Sequence, residues 1–141
     1  MIIDHIGVAV KTLEKGIEHW QKIFGYMQAT EIVVNTRQKV KVAFMEKPGS
    51  LTIKLISPSD ESSPLHQFLA KGEGIHHICF KCDDLNMQLR ELKAKGLRIT
   101  APPQPGEAFD NENIAFVFAK MGLNIEVIDT DKRAGRITLK E

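Results

Sequence analysis

The chain has 141 residues, and its 19 basic and 18 acidic side chains leave a formal net charge of +1 at pH 7. This length is typical of one domain, and a nearly neutral chain has no electrostatic preference for nucleic acid or an anionic membrane. No apolar run approaches the roughly 20 residues of a membrane span, and the start of the chain has no signal-peptide pattern. The sequence therefore predicts a cytoplasmic protein that binds neither nucleic acid nor membrane.

The first half of the chain is predicted to contain one strand, one helix and three further strands. Residues 2–10 alternate and are rich in Ile and Val, which is typical of a strand. A helix is predicted between Thr12, a favourable N-terminal cap, and Gly25, a favourable stop, because apolar residues recur there at helical spacing. The strands after this helix are predicted at residues 26–35, 38–46 and 50–57.

The second half is predicted to repeat this order after a linker at residues 58–74. One short helix is predicted within the linker, from Pro64 to Lys71. The next long helix is capped by Asp83 or Asp84, both of which are favourable N-terminal residues. The strands of this half are predicted at residues 75–82, 97–100, 113–119 and 122–129.

Two segments of the second half are predicted to be irregular. Residues 101–106 contain three prolines, which cannot donate to a central strand ladder, so a loop is predicted there. The charged tail at 131–141 has no clear periodicity and is predicted to be mobile.

Strand alternation predicts how neighbouring polar side chains point. Cys79 and Cys82 are three residues apart on one predicted strand and so face opposite ways, which argues against a disulfide between them. They are predicted to be plain buried thiols in a reducing compartment. His76 directly precedes His77, so His76 is predicted to face the helix side or an edge if His77 faces a cleft.

The sequence repeats itself at a fixed offset of 72 positions. His5 returns as His77, and the strand around Lys54 returns as the strand around Glu126. A constant offset predicts a duplicated structural unit. We therefore predict an α+β fold of two tandem βαβββ modules, related by pseudo-twofold symmetry, with a curled mixed sheet around a shared cleft. Residues 1–141 form one domain in this prediction, with module 1 at about 1–57 and module 2 at about 75–130.

Lys54 and Glu126 are single charges at the centre of otherwise apolar strand faces. A lone buried charge is costly unless it is paired or binds a metal, which leaves two interpretations open. His5, His77 and Glu126 can hold a divalent metal with positions open for water and substrate. Alternatively, Lys54 and Glu126 neutralise each other and no metal binds.

The chain resembles the vicinal oxygen chelate superfamily, which contains glyoxalases, bleomycin-resistance proteins and dioxygenases. The resemblance covers nearly all of residues 2–129, beginning with Asp4–Val10. Within this superfamily it is most similar to methylmalonyl-CoA epimerases and glyoxalase-type proteins. The segments that carry this similarity are Val40–Phe44, Ser63–Leu69 and Gly72–Ile78. The resemblance implies one glyoxalase-like domain, a small-molecule substrate and a homodimer.

In that superfamily four strand positions converge on a metal, and they correspond here to His5, Lys54, His77 and Glu126. The epimerases and glyoxalases have Glu or Gln in place of Lys54, and an ammonium group has no lone pair for a metal. Three outcomes follow. Lys54 turns away, and the other three side chains hold Zn, Co, Ni, Mn or Fe. Lys54 is neutral and acts as a base or ligand. Or Lys54 replaces the metal by pairing with Glu126, and there is no cofactor.

The sequence departs from the epimerases in two further places. Some of them carry a carboxylate at the position of Val42, and residues 40–45 contain no acid. Residues 107–110 and 119–121 also do not match the corresponding epimerase segments. The first departure concerns the acid–base groups, and the second concerns the substrate.

Two functions are predicted from these residues. The first is metal-assisted proton transfer by an isomerase or lyase on a small oxygen-chelating or thioester substrate. Glu126 or Lys54 is then the catalytic side chain, and Phe44 and Phe116 line the cleft and contact the substrate. The alternative is a metal-free small-molecule binding module, in which Lys54 pairs with Glu126 or binds a ligand carboxylate.

Overall fold

A computed structural model describes residues 1–137, so the last four residues of the predicted charged tail lie outside the described chain. Module 1 and the linker contain β1 (Ile2–Ala9), α1 (Leu13–Phe24), β2 (Met27–Gln28), β3 (Val33–Asn35), β4 (Val40–Glu46), β5 (Thr52–Pro58) and α2 (Leu65–Leu69). Module 2 contains β6 (Gly74–Lys81), α3 (Leu85–Ala94), β7 (Arg98–Gly106), β8 (Glu112–Ala119) and β9 (Leu123–Ile128). None of these helices is long and apolar enough to cross a membrane.

The described strands form one mixed sheet in the order β2-β4-β5-β1-β6-β9-β8-β7, with β3 also paired to β4. β1 and β6 are antiparallel at the junction of the modules, and each has a parallel partner on its other side, β5 or β9. β1 begins at Ile2 and β6 at Gly74, which is 72 positions later. The prediction of an α+β fold built from two related modules is therefore confirmed.

The long helices cover the outer face of the sheet, because their apolar residues recur on one side. α1 buries Leu13 and Ile17 against β4 and β5, and α3 buries Leu85, Leu89 and Leu92 against β8 and β9. The Asp84 side chain caps α3 by accepting the Met87 N–H at 2.9 Å. The inner face is consequently free to form the shared cleft.

Cys79 and Cys82 lie on opposite faces of the sheet. Cys79 is buried in the inner cluster, whereas Cys82 is half-buried and packs against the outer cluster of module 2. Both are free thiols, as the alternation of β6 predicted.

Residues 101–106 and the described part of the C-terminal tail were both predicted to be irregular, and both are ordered in the structure. The predicted loop at 101–106 is wrong, because β7 continues to Gly106 and pairs with β8 through two register irregularities. β7 is the last strand of the sheet, so its prolines face no neighbour that requires their missing donors. A different departure concerns the strand predicted at residues 26–35, which the structure divides into two short strands, β2 and β3.

The described part of the charged tail, residues 131–137, packs against both modules, so the prediction that it is mobile is wrong for these residues. The backbone N–H of Glu31 donates to the carbonyl of Gly135 at 2.7 Å, and that of Ile137 donates to Ala29 at 2.9 Å. The N–H of Ala134 donates to Ala108 at 2.9 Å. Backbone hydrogen bonds of this kind order a segment without any side-chain periodicity, which explains why the sequence pattern missed it.

Candidate functional site

The four central strands each place one of the predicted polar side chains at the centre of the cleft. β1 supplies His5, β5 supplies Lys54, β6 supplies His77 and β9 supplies Glu126. His5 and Glu126 have no exposed surface, and Lys54 and His77 are each 3% exposed. The structure therefore brings together all four residues that the sequence repeat and the resemblance singled out.

Glu126 is the centre of this cluster. Its carboxylate accepts hydrogen bonds from Lys54 Nζ, at 3.1 Å to Oε2 and 3.3 Å to Oε1. His5 Nε2 lies 2.9 Å from Oε1, and His77 Nε2 lies 3.3 Å from the same oxygen. Burial alone raises the pKa of the Glu126 carboxyl, but the charge of Lys54 and the two histidine contacts hold this pKa well below its ordinary value. The carboxylate is consequently anionic at neutral pH.

A bulge in β6 turns an extra side chain into the cleft. Gly7 pairs with His77, but the next residue of β1, Val8, pairs with Ile75, so His76 has no partner of its own. His76 lines the cavity beside His77 and its Nδ1 lies 2.8 Å from His77 Nδ1. The prediction that His76 faces the helix side or an edge is therefore wrong, because strict alternation does not hold across a bulge.

Both of these histidines favour the neutral form. Burial, followed by the charge of Lys54, lowers the pKa of His76. Burial outweighs the nearby Glu126 and lowers the pKa of His77 to about 4. His77 Nε2 is buried near Glu126 and makes no hydrogen bond with any described residue.

A charged pair lies behind His5. His5 Nδ1 is 2.7 Å from Asp4 Oδ2, and Arg133 Nη2 donates to this same oxygen at 2.6 Å. Burial raises the pKa of Asp4, but the His5 hydrogen bond and the charge of Arg133 together lower it below its ordinary value. Neither residue was predicted to have a functional role. The position of Asp4 directly before His5 is a local sequence signal that could have indicated its role. No neighbouring residue indicates a role for Arg133 in the sequence.

A cavity of about 440 Å³ opens above Lys54, Glu126, His76 and His77. Its walls are mainly aliphatic and aromatic, with neutral polar groups among them; the wall residues include Asn35, Gln38, Val40, Ile56, Leu65, Ile114, Phe116 and Asn124. Phe116 thus lies where a substrate contact is predicted. Phe44 instead packs edge-on against the His5 ring, 5.3 Å between centroids, and is not among the described residues that line the cavity.

The cluster meets only part of what a divalent metal requires. One ligand atom each from His5, His77 and Glu126 lies within 4.8 Å of the other two, and Asp4 orients His5 as a carboxylate does behind a metal-bound histidine. However, the Lys54 ammonium contacts both oxygens of the only carboxylate in this set. A divalent ion on Glu126 would be repelled by this charge at close range. With Lys54 in place, the residues do not fit a metal.

Comparisons with known proteins agree with this architecture. Human mitochondrial methylmalonyl-CoA epimerase is 34% identical over 98 residues, which cover 68% of this chain and 54% of the human protein. Methylmalonyl-CoA epimerase from Mycobacterium tuberculosis is 32% identical with a TM-score of 0.81, over 91% of this chain and 87% of that one. A methylmalonyl-CoA epimerase in complex with methylmalonyl-CoA and NH4+ is 27% identical with a TM-score of 0.81, over 97% and 98% of the two chains.

The chain spans about half the length of the mammalian epimerases that it matches. A family model described as the Glyoxalase/Bleomycin resistance protein/Dioxygenase superfamily matches residues 4–118. This range contains most of β1, all of β6 and most of module 2. The chain therefore belongs to the glyoxalase, bleomycin-resistance and dioxygenase superfamily and is similar to its methylmalonyl-CoA epimerases.

Proposed function

We propose that this protein is an isomerase-type enzyme that moves a proton at the carbon next to the carbonyl of a CoA thioester. The observation that carries the proposal is the Lys54–Glu126 pair at the floor of an apolar cavity. Electrostatic interactions are stronger in such a site than in water, so an ammonium group can stabilise the negative charge that develops on a thioester oxygen. The similarity to methylmalonyl-CoA epimerases supports a thioester as the substrate.

The two charged residues have complementary roles in this proposal. Lys54 Nζ has three donors, and after its two contacts with Glu126 one remains for the thioester oxygen. The Glu126 carboxylate accepts the proton from the neighbouring carbon, and the protonated carboxyl then returns a proton to the same carbon of the enolate. Its low pKa makes it a weak base, so the reaction depends on Lys54 to acidify that carbon by stabilising the enolate. His5 holds the carboxylate in place through its 2.9 Å contact.

We also propose that the Lys54 ammonium takes the place of the divalent metal that the resemblance implies. It supplies a positive charge next to Glu126, as a metal would. The methylmalonyl-CoA epimerase in complex with methylmalonyl-CoA and NH4+ supports this proposal, because that complex contains a monovalent ammonium cation. Elemental analysis after dialysis against Zn, Co, Ni, Mn and Fe tests this. We expect no stoichiometric metal in the wild type and about one equivalent in Lys54→Gln, because glutamine offers an oxygen ligand.

Two further variants make the metal measurement specific. His77→Ala on the Lys54→Gln background should lose the acquired metal. Lys22→Gln, which changes an exposed lysine of α1, should resemble the wild type. One equivalent of metal in the wild type, lost in His77→Ala, would contradict the proposal that Lys54 replaces the metal.

Deuterium exchange tests the chemistry directly. Acyl-CoA thioesters with an acidic neighbouring carbon are incubated in D2O, and deuterium uptake is followed by NMR and mass spectrometry. We expect exchange with the wild type and with Lys22→Met, and a loss of at least about 100-fold in Lys54→Met and Glu126→Gln. Absence of exchange with every thioester would contradict the enzymatic function.

A metal-free binding module is the second candidate, and Val42 favours it. This buried aliphatic residue stands where some epimerases carry an acid, so the cavity lacks one of their proton-transfer groups. A binding module would show ligand binding in calorimetry without catalysing deuterium exchange. Deuterium uptake with a change of configuration would instead support the isomerase, whereas uptake with retained configuration would show proton transfer but contradict isomerisation.

We further propose that two copies of the chain pair through the edges of their sheets. The described sheet ends at the short strands β2 and β3 in module 1 and at β7 in module 2. Sedimentation equilibrium distinguishes a dimer from a monomer.

A further inference from the structure

We infer that Arg133 is a positioning residue, which acts through Asp4 to fix the His5 ring against Glu126. Arg133 lies on the C-terminal segment after β9, far in sequence from β1. It contacts neither the cavity nor Glu126, so its effect on the site must pass through other side chains. The inference about the ring is independent of the proposed function; its consequence for turnover rests on that function.

The path from Arg133 to the carboxylate is continuous and short. Arg133 Nη2 donates to Asp4 Oδ2 at 2.6 Å, and the same oxygen lies 2.7 Å from His5 Nδ1. On the other side of the ring, His5 Nε2 lies 2.9 Å from Glu126 Oε1. One oxygen of Asp4 thus meets both Arg133 and His5, and this fixes the plane in which the ring can lie.

Burial of Arg133 is costly, and stability alone does not explain it. The side chain is 7% exposed, and its Nε and Nη1 have no hydrogen-bond partner among the described residues. Unpaired buried donors destabilise a fold. The contact with Asp4 and stacking over Phe44, 4.2 Å from Cζ to the ring centroid, offset part of this cost. The contact with Asp4 and the ring of Phe44 together hold the guanidinium behind His5.

The C-terminal segment determines where Arg133 lies. Its backbone is hydrogen-bonded at Ala134, Gly135 and Ile137, which follow Arg133 in the chain. Docking of this segment against both modules thereby completes a site whose four central residues come from the sheet. We expect the orientation of His5 to depend on Arg133 even though the sheet is intact.

Side-chain NMR of His5 tests the inference without substrate. The ¹⁵N shifts of its two ring nitrogens report the hydrogen bonds that each makes. We expect Arg133→Met to change both shifts, Arg133→Lys to restore them in part, and Arg136→Met to leave them unchanged. Arg136 is the matched control, because it lies on the same segment but is exposed and pairs with Glu46 at 3.1 Å.

Turnover in the thioester exchange assay gives a second measurement. We expect Arg133→Met to lower kcat by about 10- to 100-fold with little change in KM, as for other groups that orient a functional histidine from behind. Asp4→Asn should have a similar effect, and the double variant should lose no more than either single variant, because both act through His5. Asp4→Asn also serves if Arg133→Met fails to fold.

Unchanged His5 shifts in folded Arg133→Met would overturn the inference. Equal changes in Arg136→Met would also overturn it, since they would indicate general loosening of the segment. If the wild type turns over no thioester, the proposed function fails, whereas the NMR result still decides whether Arg133 positions His5.

Discussion

The two modules place their functional residues at equivalent positions but give them different chemistry. His5 and His77 correspond, and so do Lys54 and Glu126, all at the same offset. Module 1 therefore contributes a cation and module 2 an anion, and the two meet across the cleft at 3.1 Å. Two acids at these positions would repel each other unless a metal lay between them. Duplication therefore fixes where the side chains meet, whereas the charge of a single side chain, Lys54, changes whether a metal fits between them.

The histidines differ in what supports them. Across the β1–β6 pair, His5 faces Cys79 and His77 faces Gly7. His5 is backed by the charged Asp4–Arg133 pair, whereas His77 is backed by the neutral ring of His76. The first arrangement favours a fixed ring within a row of hydrogen-bonded charged groups. The second favours an uncharged ring whose Nε2 has no hydrogen-bond partner among the described residues.

Removing the cation of module 1 should have the largest effect on stability. Lys54→Met leaves the Glu126 carboxylate buried without its charged partner, which costs about 3–5 kcal/mol. Urea unfolding measures this loss. The double variant Lys54→Met with Glu126→Gln should recover much of it, because no buried charge remains.

Lys22→Met provides the control for that measurement. Lys22 also pairs with a carboxylate, Glu18 at 2.6 Å, but both side chains are largely exposed. Its loss should change stability by less than about 1 kcal/mol. A similar effect of Lys22→Met and Lys54→Met would mean that burial does not distinguish the two pairs.

The residues opposite the histidines allow a second test. A Cβ on Gly7 would overlap the ring of His77, so Gly7→Ala should displace that ring. We expect a loss of about 1–3 kcal/mol by urea unfolding, together with altered His77 ring shifts. Cys79→Ala, the matched change opposite His5, adds no atoms and should leave both rings in place. Unaltered His77 shifts in Gly7→Ala would contradict this close packing.

The sequence predicted the parts of the site that follow from regular alternation. His5, Lys54, His77 and Glu126 were found because they interrupt apolar strands at a constant offset, and the same pattern gave β1 and β6. His76 was assigned to the wrong face, because a bulge is a pairing irregularity that alternation cannot reveal.

The remaining differences also have physical causes. The first part of β7 was predicted, but its continuation through residues 101–106 was missed, because proline excludes only central strands and the sequence does not show which strand lies at the edge. Arg133 was missed because contacts with distant residues, rather than local periodicity, bury it. Long-range placement of single residues is therefore what the pattern of this sequence could not provide.

The smallest predicted effect concerns pH and the uncharged histidine of module 2. The pKa of His77 falls from its usual 6.5 to about 4 on folding, so between these values the unfolded chain binds a proton that the native protein does not. The stability present above pH 6.5 is therefore lost as the pH falls towards 4. The lowered pKa of His76 also reduces stability as the pH falls. The lowered pKa values of Asp4 and Glu126 reduce stability only at more acidic pH.

Urea unfolding at about pH 7 and about pH 5 measures this loss, which we expect to be about 2 kcal/mol larger in the wild type than in His77→Gln. His19→Gln, a change on the exposed side of α1, should keep the wild-type dependence because His77 is intact. An equal pH dependence in the wild type and His77→Gln would mean that His77 is not held neutral. The proposed contrast between the two histidines would then be wrong, and only the Lys54–Glu126 asymmetry would distinguish the modules.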